Sequence, residues 1–206
     1  MIDKFCDWLT NKIKEKVTDI DEEKELVINF GIRLIFGELP KILVLFIIGF
    51  LLNIGWYTLL LFTLIAPYRS FTGGFHLKTH TGCMITTSIL YLAPIIIAKN
   101  VQVKQPIILY TLAVLIAIFS IIIIAKYAPA DTENMPILSK KERKSKKTKA
   151  YVTLIILLGI ILLNPNYIVS YMLIFGVLLQ NLTVLPISYK LTNSKYGYQV
   201  YTEETT

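Results

Sequence analysis

The chain has 206 residues, of which 54% are hydrophobic and 17% charged, and its formal net charge is +7. A soluble domain of this length is far less apolar, so the composition excludes a soluble enzyme and a nucleic-acid-binding domain and indicates an all-α integral membrane protein. Seven basic residues stand against one Glu in residues 140–149, KKERKSKKTK, and this concentration predicts a cytoplasmic loop.

Residues 1–36 are predicted to form an amphipathic helix that lies on the membrane surface or packs under the bundle. Apolar side chains recur there at three- and four-residue spacing, with Lys and Glu between them. The apolar positions in the first half of the segment are Ile2, Phe5, Trp8, Leu9, Ile13 and Val17. Because the segment has no long apolar core, it does not resemble a cleaved secretory signal.

Residues 41–66 are apolar but are interrupted around Asn53 and Gly55. They are compatible with one tilted span of about 25 residues or with a hairpin of two short helices. The single span would place the lysines of residues 1–36 outside the cell, whereas the hairpin returns them to the cytoplasm. The hairpin is therefore favoured.

Four further apolar segments follow. They are residues 84–98, 106–125, 151–163 and 167–187. With the hairpin they make about six hydrophobic segments in a transmembrane helical bundle over residues 41–187, ahead of a cytoplasmic tail at residues 188–206, all in one membrane domain. Because the shorter segments fall below the roughly 20 residues of a full span, re-entrant segments are an alternative to full crossings. The basic loop and the uncharged turn at residues 164–166 then place residues 67–82 on the cytoplasmic side.

Both histidines and one of the two cysteines lie in residues 69–83, RSFTGGFHLKTHTGC. A reduced cytosolic thiol there is a nucleophile, a metal ligand or a small buried hydrophobe. His76, His80 and Cys83 would supply three metal ligands, but the flanking residues lack a fourth, so neither a metal nor another cofactor is expected. Cys6 stands in a different setting from Cys83, and no disulfide is expected between them.

A catalytic thiol needs a base within hydrogen-bond reach. His76 stands seven residues before Cys83, and an unbroken helix would separate them by about 10.5 Å along its axis, too far for contact. A bend is therefore required, and Gly82 would permit one. His80, three residues before Cys83, is the alternative base that local helix geometry favours.

Three neighbouring positions are candidates for a supporting role or for substrate binding. Gly73 and Gly74 permit either an unusual backbone angle or close approach of a substrate chain. Arg69 is either a cationic anchor at the membrane edge or a charge that favours the thiolate or holds a substrate carboxylate.

The arrangement of these residues resembles the accessory gene regulator protein B (AgrB) family. The matching residues are Arg69, Gly73, Gly74, His76 and Cys83, followed by an apolar span. A second stretch, KYAPADTENMPI at residues 126–137, agrees and precedes the basic run. The match in order, spacing and hydropathy covers nearly the whole chain.

The resemblance implies a multi-pass protein of the bacterial cell membrane with its active site facing the cytoplasm. It implies a cysteine endopeptidase for quorum sensing, in which His76 and Cys83 cut the C-terminal part of an AgrD-like autoinducer propeptide. Cys83 would keep the N-terminal product as a thioester, and a cysteine of the propeptide would then release it as a thiolactone. The resemblance favours His76 over His80 as the base.

Asp131 invites a role in orienting His76, as the acid of a catalytic triad orients its base. The alternative is that Asp131 stabilises a turn together with its neighbours, which are ordinary turn residues.

A peptide-signal exporter without covalent catalysis is the alternative function, although residues 106–125 and 151–163 hold no charged side chain that could line a path. Membrane lipids are expected contacts, and a homodimer is compatible with so small a bundle although no GxxxG motif supports it.

Overall fold

The structure is a computed structural model that describes residues 2–17, 21–77, 79–101, 103–133 and 135–199. Within these residues the chain forms eight α-helices. They are α1 (Ile2–Lys16), α2 (Glu22–Leu51), α3 (Gly55–Thr72), α4 (His80–Asn100), α5 (Pro106–Tyr127), α6 (Lys140–Leu163), α7 (Tyr167–Val184) and α8 (Pro186–Leu191). The part of the predicted tail beyond residue 199 lies outside the described residues.

Two helices occupy the region predicted as one amphipathic helix, residues 1–36. α1 ends at Lys16, and α2 begins at Glu22 because the Asp21 carboxylate accepts a hydrogen bond from the backbone N–H of Lys24 at 2.8 Å and so caps a new helix. α2 then continues past Pro40 to its end at Leu51. The second half of the amphipathic segment and the first apolar segment therefore lie in one helix.

α1 packs along the first half of α2. Phe5 and Phe36 meet edge to face with their ring centroids 5.1 Å apart, and the Lys14 ammonium pairs with the Glu25 carboxylate. These contacts fold α1 back on α2 as a helical hairpin.

The chain turns sharply between α2 and α3. Asn53 adopts a left-handed backbone conformation with φ of 55°, which Asn tolerates better than most residues, and α3 begins at Gly55. Phe46 and Phe62 then pack edge to face across the two helices at 5.6 Å. Residues 41–66 thus lie in two helices joined by a turn, as the hairpin alternative expected, although α2 is a helix of 30 residues rather than a short one. That this hairpin crosses the membrane stays a prediction.

Three helices of the described residues are long and apolar enough to cross a membrane, namely α4, α5 and α7. The expectation of six hydrophobic segments stays a prediction. The basic run at residues 140–149 is the first part of α6 rather than a loop, because Ser139 caps the helix by accepting from the Glu142 N–H.

α7 lies at the centre of the bundle, in contact with α3, α4, α5 and α6. A buried hydrogen-bond chain joins three of these helices: the Tyr68 hydroxyl donates to Asn181 Oδ1 at 2.7 Å, and Asn181 Nδ2 donates to Ser120 Oγ at 2.7 Å. Ser120 in turn donates to the carbonyl of Ile116. Because each member has a partner, this polar chain specifies how α3, α5 and α7 pack without leaving a costly unpaired group.

We expect Asn181→Leu to lower the free energy of unfolding by about 1–3 kcal/mol, because the Tyr68 hydroxyl would be left without its acceptor in the core. Thermal denaturation in detergent measures this loss. Asn100→Leu is the matched control, since Asn100 is exposed at the end of α4 and bonds to the carbonyl of Ile96 in its own helix. Equal melting temperatures for the two variants would contradict the prediction.

Candidate active site

The site begins where α3 ends. Gly73 and Gly74 have φ of 73° and 141°, in the region that L residues rarely adopt. The chain there runs beside Ala130, whose N–H donates to the carbonyl of Thr72 and whose carbonyl accepts from the Gly74 N–H, both at 2.9 Å. A Cβ on Gly73 would lie 2.1 Å from that Ala130 carbonyl oxygen. The two glycines therefore adopt the unusual backbone angles that the sequence allowed, and close approach of a substrate chain stays a prediction.

The loop between α3 and α4 brings His76 to Cys83. α4 begins at His80, capped by Thr79 Oγ1, which accepts from the Gly82 N–H at 3.2 Å. His76 therefore precedes the helix instead of lying on it, and its Nδ1 is 3.8 Å from Cys83 Sγ. The bend that the spacing required is present, but it falls before Thr79 rather than at Gly82.

The two histidines differ in their relation to the thiol. His80 is the first residue of α4 and is exposed, whereas His76 makes the contact with Cys83. Both cysteines are free, and among the described residues no three His, Cys, Asp or Glu side chains are grouped to hold a metal ion.

His76 borders a cavity and is accessible from it, yet the cavity walls remove much of its hydration. This loss of hydration is the main reason that the pKa of His76 is lowered to about 4, and the nearby Arg69 charge lowers that pKa further. The Glu38 carboxylate acts in the opposite direction. The imidazole is thus neutral at neutral pH and able to accept a proton.

Arg69 is held in place by α7. Its Nη1 donates to Gln180 Oε1 at 2.9 Å and lies 3.4 Å from Thr183 Oγ1. Gln180 is fully buried, and its Nε2 donates to Thr72 Oγ1 at 3.0 Å and to the Gly73 carbonyl at 2.7 Å. One amide therefore orients the guanidinium and holds the end of α3, and Arg69 lines the cavity described below.

Asp131 bonds to its own loop and to the C-terminal residues. Its Oδ2 accepts from the backbone N–H groups of Ile137 at 2.9 Å and Tyr198 at 2.8 Å, and it lies 3.3 Å from Arg143 Nη1. Its Oδ1 is buried and has no hydrogen-bond partner among the described residues. These contacts correspond to the turn-stabilising alternative, and a role of Asp131 in orienting His76 stays a prediction.

A cavity of about 490 Å³ connects these groups. Cys83, His76, Arg69 and Asp131 line it together with Glu38 and Lys41 of α2. Glu38 and Lys41 form an ion pair with an N–O distance of 2.6 Å, and Lys41 is almost fully buried. The cavity thus offers a thiol, a neutral imidazole and a fixed guanidinium to a molecule that enters it.

Sequence reasoning missed Gln180, Glu38 and Lys41. A signal was available for Gln180, which stands with Asn181 inside an apolar segment, where polar residues are rare and commonly functional. Glu38 and Lys41 flank Pro40 at the start of an apolar run, and nothing local distinguishes them from membrane-edge charges. Their place in the cavity depends on how α2 packs against α4.

Fold and site together define a helical membrane protein with a thiol and an imidazole in contact at a partly enclosed cavity. The chain matches the accessory gene regulator B family over residues 6–184 and therefore belongs to that family. An AgrB-like protein of Listeria welshimeri is 30% identical over 183 residues, 88% of this chain and 87% of the relative. The accessory gene regulator protein B of Staphylococcus aureus is 25% identical over 186 residues, 90% of this chain and 93% of the relative. No solved structure matches the chain.

We expect Gly73→Ala to destabilise the protein by at least about 1–2 kcal/mol, because Ala is strained at this positive φ. Its Cβ would also clash with the Ala130 carbonyl. This clash would push the end of α3 away from the segment that contains Ala130. Gly159→Ala in α6 is the control, since a Cβ there meets nothing within 4 Å. Thermal denaturation of both variants in detergent measures the difference, and a Gly73→Ala protein as stable as the Gly159→Ala protein would refute the argument.

Proposed function

We propose that this protein is a membrane cysteine endopeptidase that cleaves an AgrD-like autoinducer propeptide and promotes its cyclisation for quorum sensing. The observation that carries the proposal is the 3.8 Å contact between His76 Nδ1 and Cys83 Sγ at the wall of a cavity large enough for a peptide segment. A thiol beside a neutral base is the arrangement that nucleophilic catalysis requires.

Cleavage starts with transfer of the Cys83 proton to His76, after which the sulfur attacks the carbonyl carbon of the scissile bond. The C–N bond breaks, the leaving amine takes the proton from His76, and the N-terminal product stays on Cys83 as a thioester. A cysteine of the propeptide then attacks this carbonyl, so that a new thioester closes the ring and the Cys83 sulfur recovers a proton. Exchange between thioesters is nearly thermoneutral, so a cysteine nucleophile keeps the acyl group active for cyclisation.

Arg69 and Asp131 are the proposed supporting residues. The Arg69 guanidinium is held by neutral oxygens of Gln180 and Thr183, which supports a role in stabilising the thiolate or holding a carboxylate of the propeptide. The buried Oδ1 of Asp131 lacks a partner among the described residues, which supports a role in accepting a hydrogen bond from the bound chain.

The proposed topology places one membrane domain with six hydrophobic segments, α2 to α7, in the bacterial cell membrane. α1 would lie at the cytoplasmic interface, since Phe5 and Trp8 are exposed there beside lysines. The basic start of α6 supports a cytoplasmic position for the site.

A peptide-signal exporter would need polar groups along a path through the membrane. Gln180 and Asn181 instead bond to residues of α3 and α5, which disfavours the exporter. Contacts with lipid headgroups and a homodimer stay predictions.

We expect Cys83→Ala to abolish cleavage of a synthetic AgrD-like propeptide by protein in liposomes. His76→Ala should lower the rate about 10²-fold or more, because the thiol loses its base. His80→Ala and Cys6→Ser are controls that keep the thiol and imidazole in contact and should stay within about twofold of wild type. Mass spectrometry should detect a thioester adduct on Cys83, and a propeptide still cyclised by Cys83→Ala protein would overturn the proposal.

The pH dependence of kcat/KM should reveal the lowered pKa of His76. Only the neutral imidazole can accept the thiol proton, so activity should persist in acid until His76 protonates near pH 4. Arg69→Gln removes a positive charge that lowers this pKa, so its acid limb should move to higher pH, whereas Arg69→Lys keeps the charge and should leave the limb in place. An acid limb near the ordinary histidine value, about 6.5, in the wild-type protein would contradict this assignment.

A further inference from the structure

The residues after α8 run back across the site. Residues 194–199, here called the C-terminal strap, lie beyond residue 184, where the family match ends. They contact both chain segments that form the site, the loop that carries His76 and the loop that carries Asp131.

The strap meets the His76 loop through one hydrogen bond. Ser194 Oγ donates to the carbonyl oxygen of His76 at 3.0 Å. Thr192 Oγ1 lies 3.1 Å from the same serine oxygen, and its own hydroxyl donates to the carbonyl of Ser188 at 2.8 Å. On the other side of His76, the Phe75 N–H donates to the carbonyl of Thr183 at 3.2 Å. The His76 backbone is thus held between α7 and the strap.

The strap meets the Asp131 loop through closer packing. The Tyr198 N–H donates to Asp131 Oδ2 at 2.8 Å, and the Arg143 guanidinium lies over the Tyr198 ring, 4.6 Å from its centroid. Gly197 is buried against the Asp131 loop, where a Cβ would come 2.3 Å from the carbonyl oxygen of Thr132. A larger residue at 197 would therefore push the strap away from this loop.

A pair of stacked tyrosines anchors the strap to the end of the bundle. The Tyr189 and Tyr196 rings are 4.0 Å apart at 12°. The Tyr196 hydroxyl donates to the carbonyl of Val184, and the Tyr189 hydroxyl donates to the carbonyl of Asp131 at 2.9 Å. The strap is consequently fixed to α7, to α8 and to the Asp131 loop at the same time.

We propose that the C-terminal strap is a positioning element that holds the His76 loop at the distance from Cys83 that proton transfer needs. His76 belongs to a short loop and not to a helix, so its backbone has no helical hydrogen bonds to hold it. The strap supplies the contact at its carbonyl and joins it to the Asp131 loop. The effect on catalysis rests on the proposed peptidase function, whereas the effect on the thiol–imidazole distance does not.

Single substitutions in the full-length chain test the hydrogen bond. Ser194→Ala should lower kcat for propeptide cleavage about tenfold and leave KM within about twofold, because small displacements of a catalytic group slow the chemical step. Ser194→Thr keeps the hydroxyl and should restore kcat. Ser145→Ala, at an exposed serine of α6, is the matched control.

Gly197→Ala tests the packing of the strap against the Asp131 loop. It should lower kcat in the same way, whereas Gly31→Ala in α2 should not, because a Cβ at Gly31 meets nothing within 4 Å. Melting temperatures in detergent separate positioning from unfolding. Loss of kcat with an unchanged melting temperature in Ser194→Ala supports the proposal, and loss that appears only together with a lowered melting temperature overturns it.

A second measurement distinguishes a failure of the strap proposal from a failure of the proposed peptidase function. In a Cys6→Ser background, alkylation of Cys83 by iodoacetamide should slow in Ser194→Ala toward the rate of His76→Ala. If the wild-type protein cleaves no propeptide but this slowing occurs, the proposed peptidase function is wrong. The proposal that the strap positions His76 near Cys83 is then still supported. If the wild-type protein cleaves and both kcat and alkylation are unchanged in Ser194→Ala and Gly197→Ala, the strap proposal is wrong and the function stands.

Discussion

The backbone pairing of Gly73 and Gly74 with Ala130 is the contact on which the site depends. It stops α3 at Thr72 and leads the chain sideways, so that His76 returns toward the first turn of α4. A helix continued through this region would hold the imidazole and the thiol two turns apart. Because a side chain at position 73 would collide with the Ala130 carbonyl, the pairing depends on glycine having no Cβ.

α7 couples this pairing to the hydrophobic core. Consecutive residues of α3, Tyr68 and Arg69, bond to consecutive residues of α7, Asn181 and Gln180. The Tyr68–Asn181 pair faces the core, and Asn181 also bonds to Ser120. The Arg69–Gln180 pair faces the cavity, and Gln180 also bonds to the Gly73 carbonyl. An unpaired buried polar group is costly in a medium of low dielectric constant, so these linked hydrogen bonds specify the packing of the bundle and the orientation of Arg69 together.

The electrostatics of the cavity suit a base rather than a preformed ion pair. Loss of hydration and the Arg69 charge keep His76 neutral, so under the proposed mechanism the imidazole takes the thiol proton during attack. The Glu38–Lys41 ion pair also lines the cavity and adds one charge of each sign. Under the same proposal, a partly enclosed site limits the access of water to the acyl thioester, which cyclisation needs.

The sequence by itself determined the membrane class, the stretch that carries the thiol and both histidines, and the resemblance to the AgrB family, because composition and short-range order encode these properties. Helix spacing favoured His80 and the resemblance favoured His76, and neither could give the loop ahead of α4 that brings His76 to Cys83, because that loop is set by contacts with Ala130 and Thr183. Gln180 and the strap joined the site for the same reason. Gln180 lies 111 residues from Arg69 and Ser194 lies 118 residues from His76, and only tertiary packing brings such segments within hydrogen-bond distance.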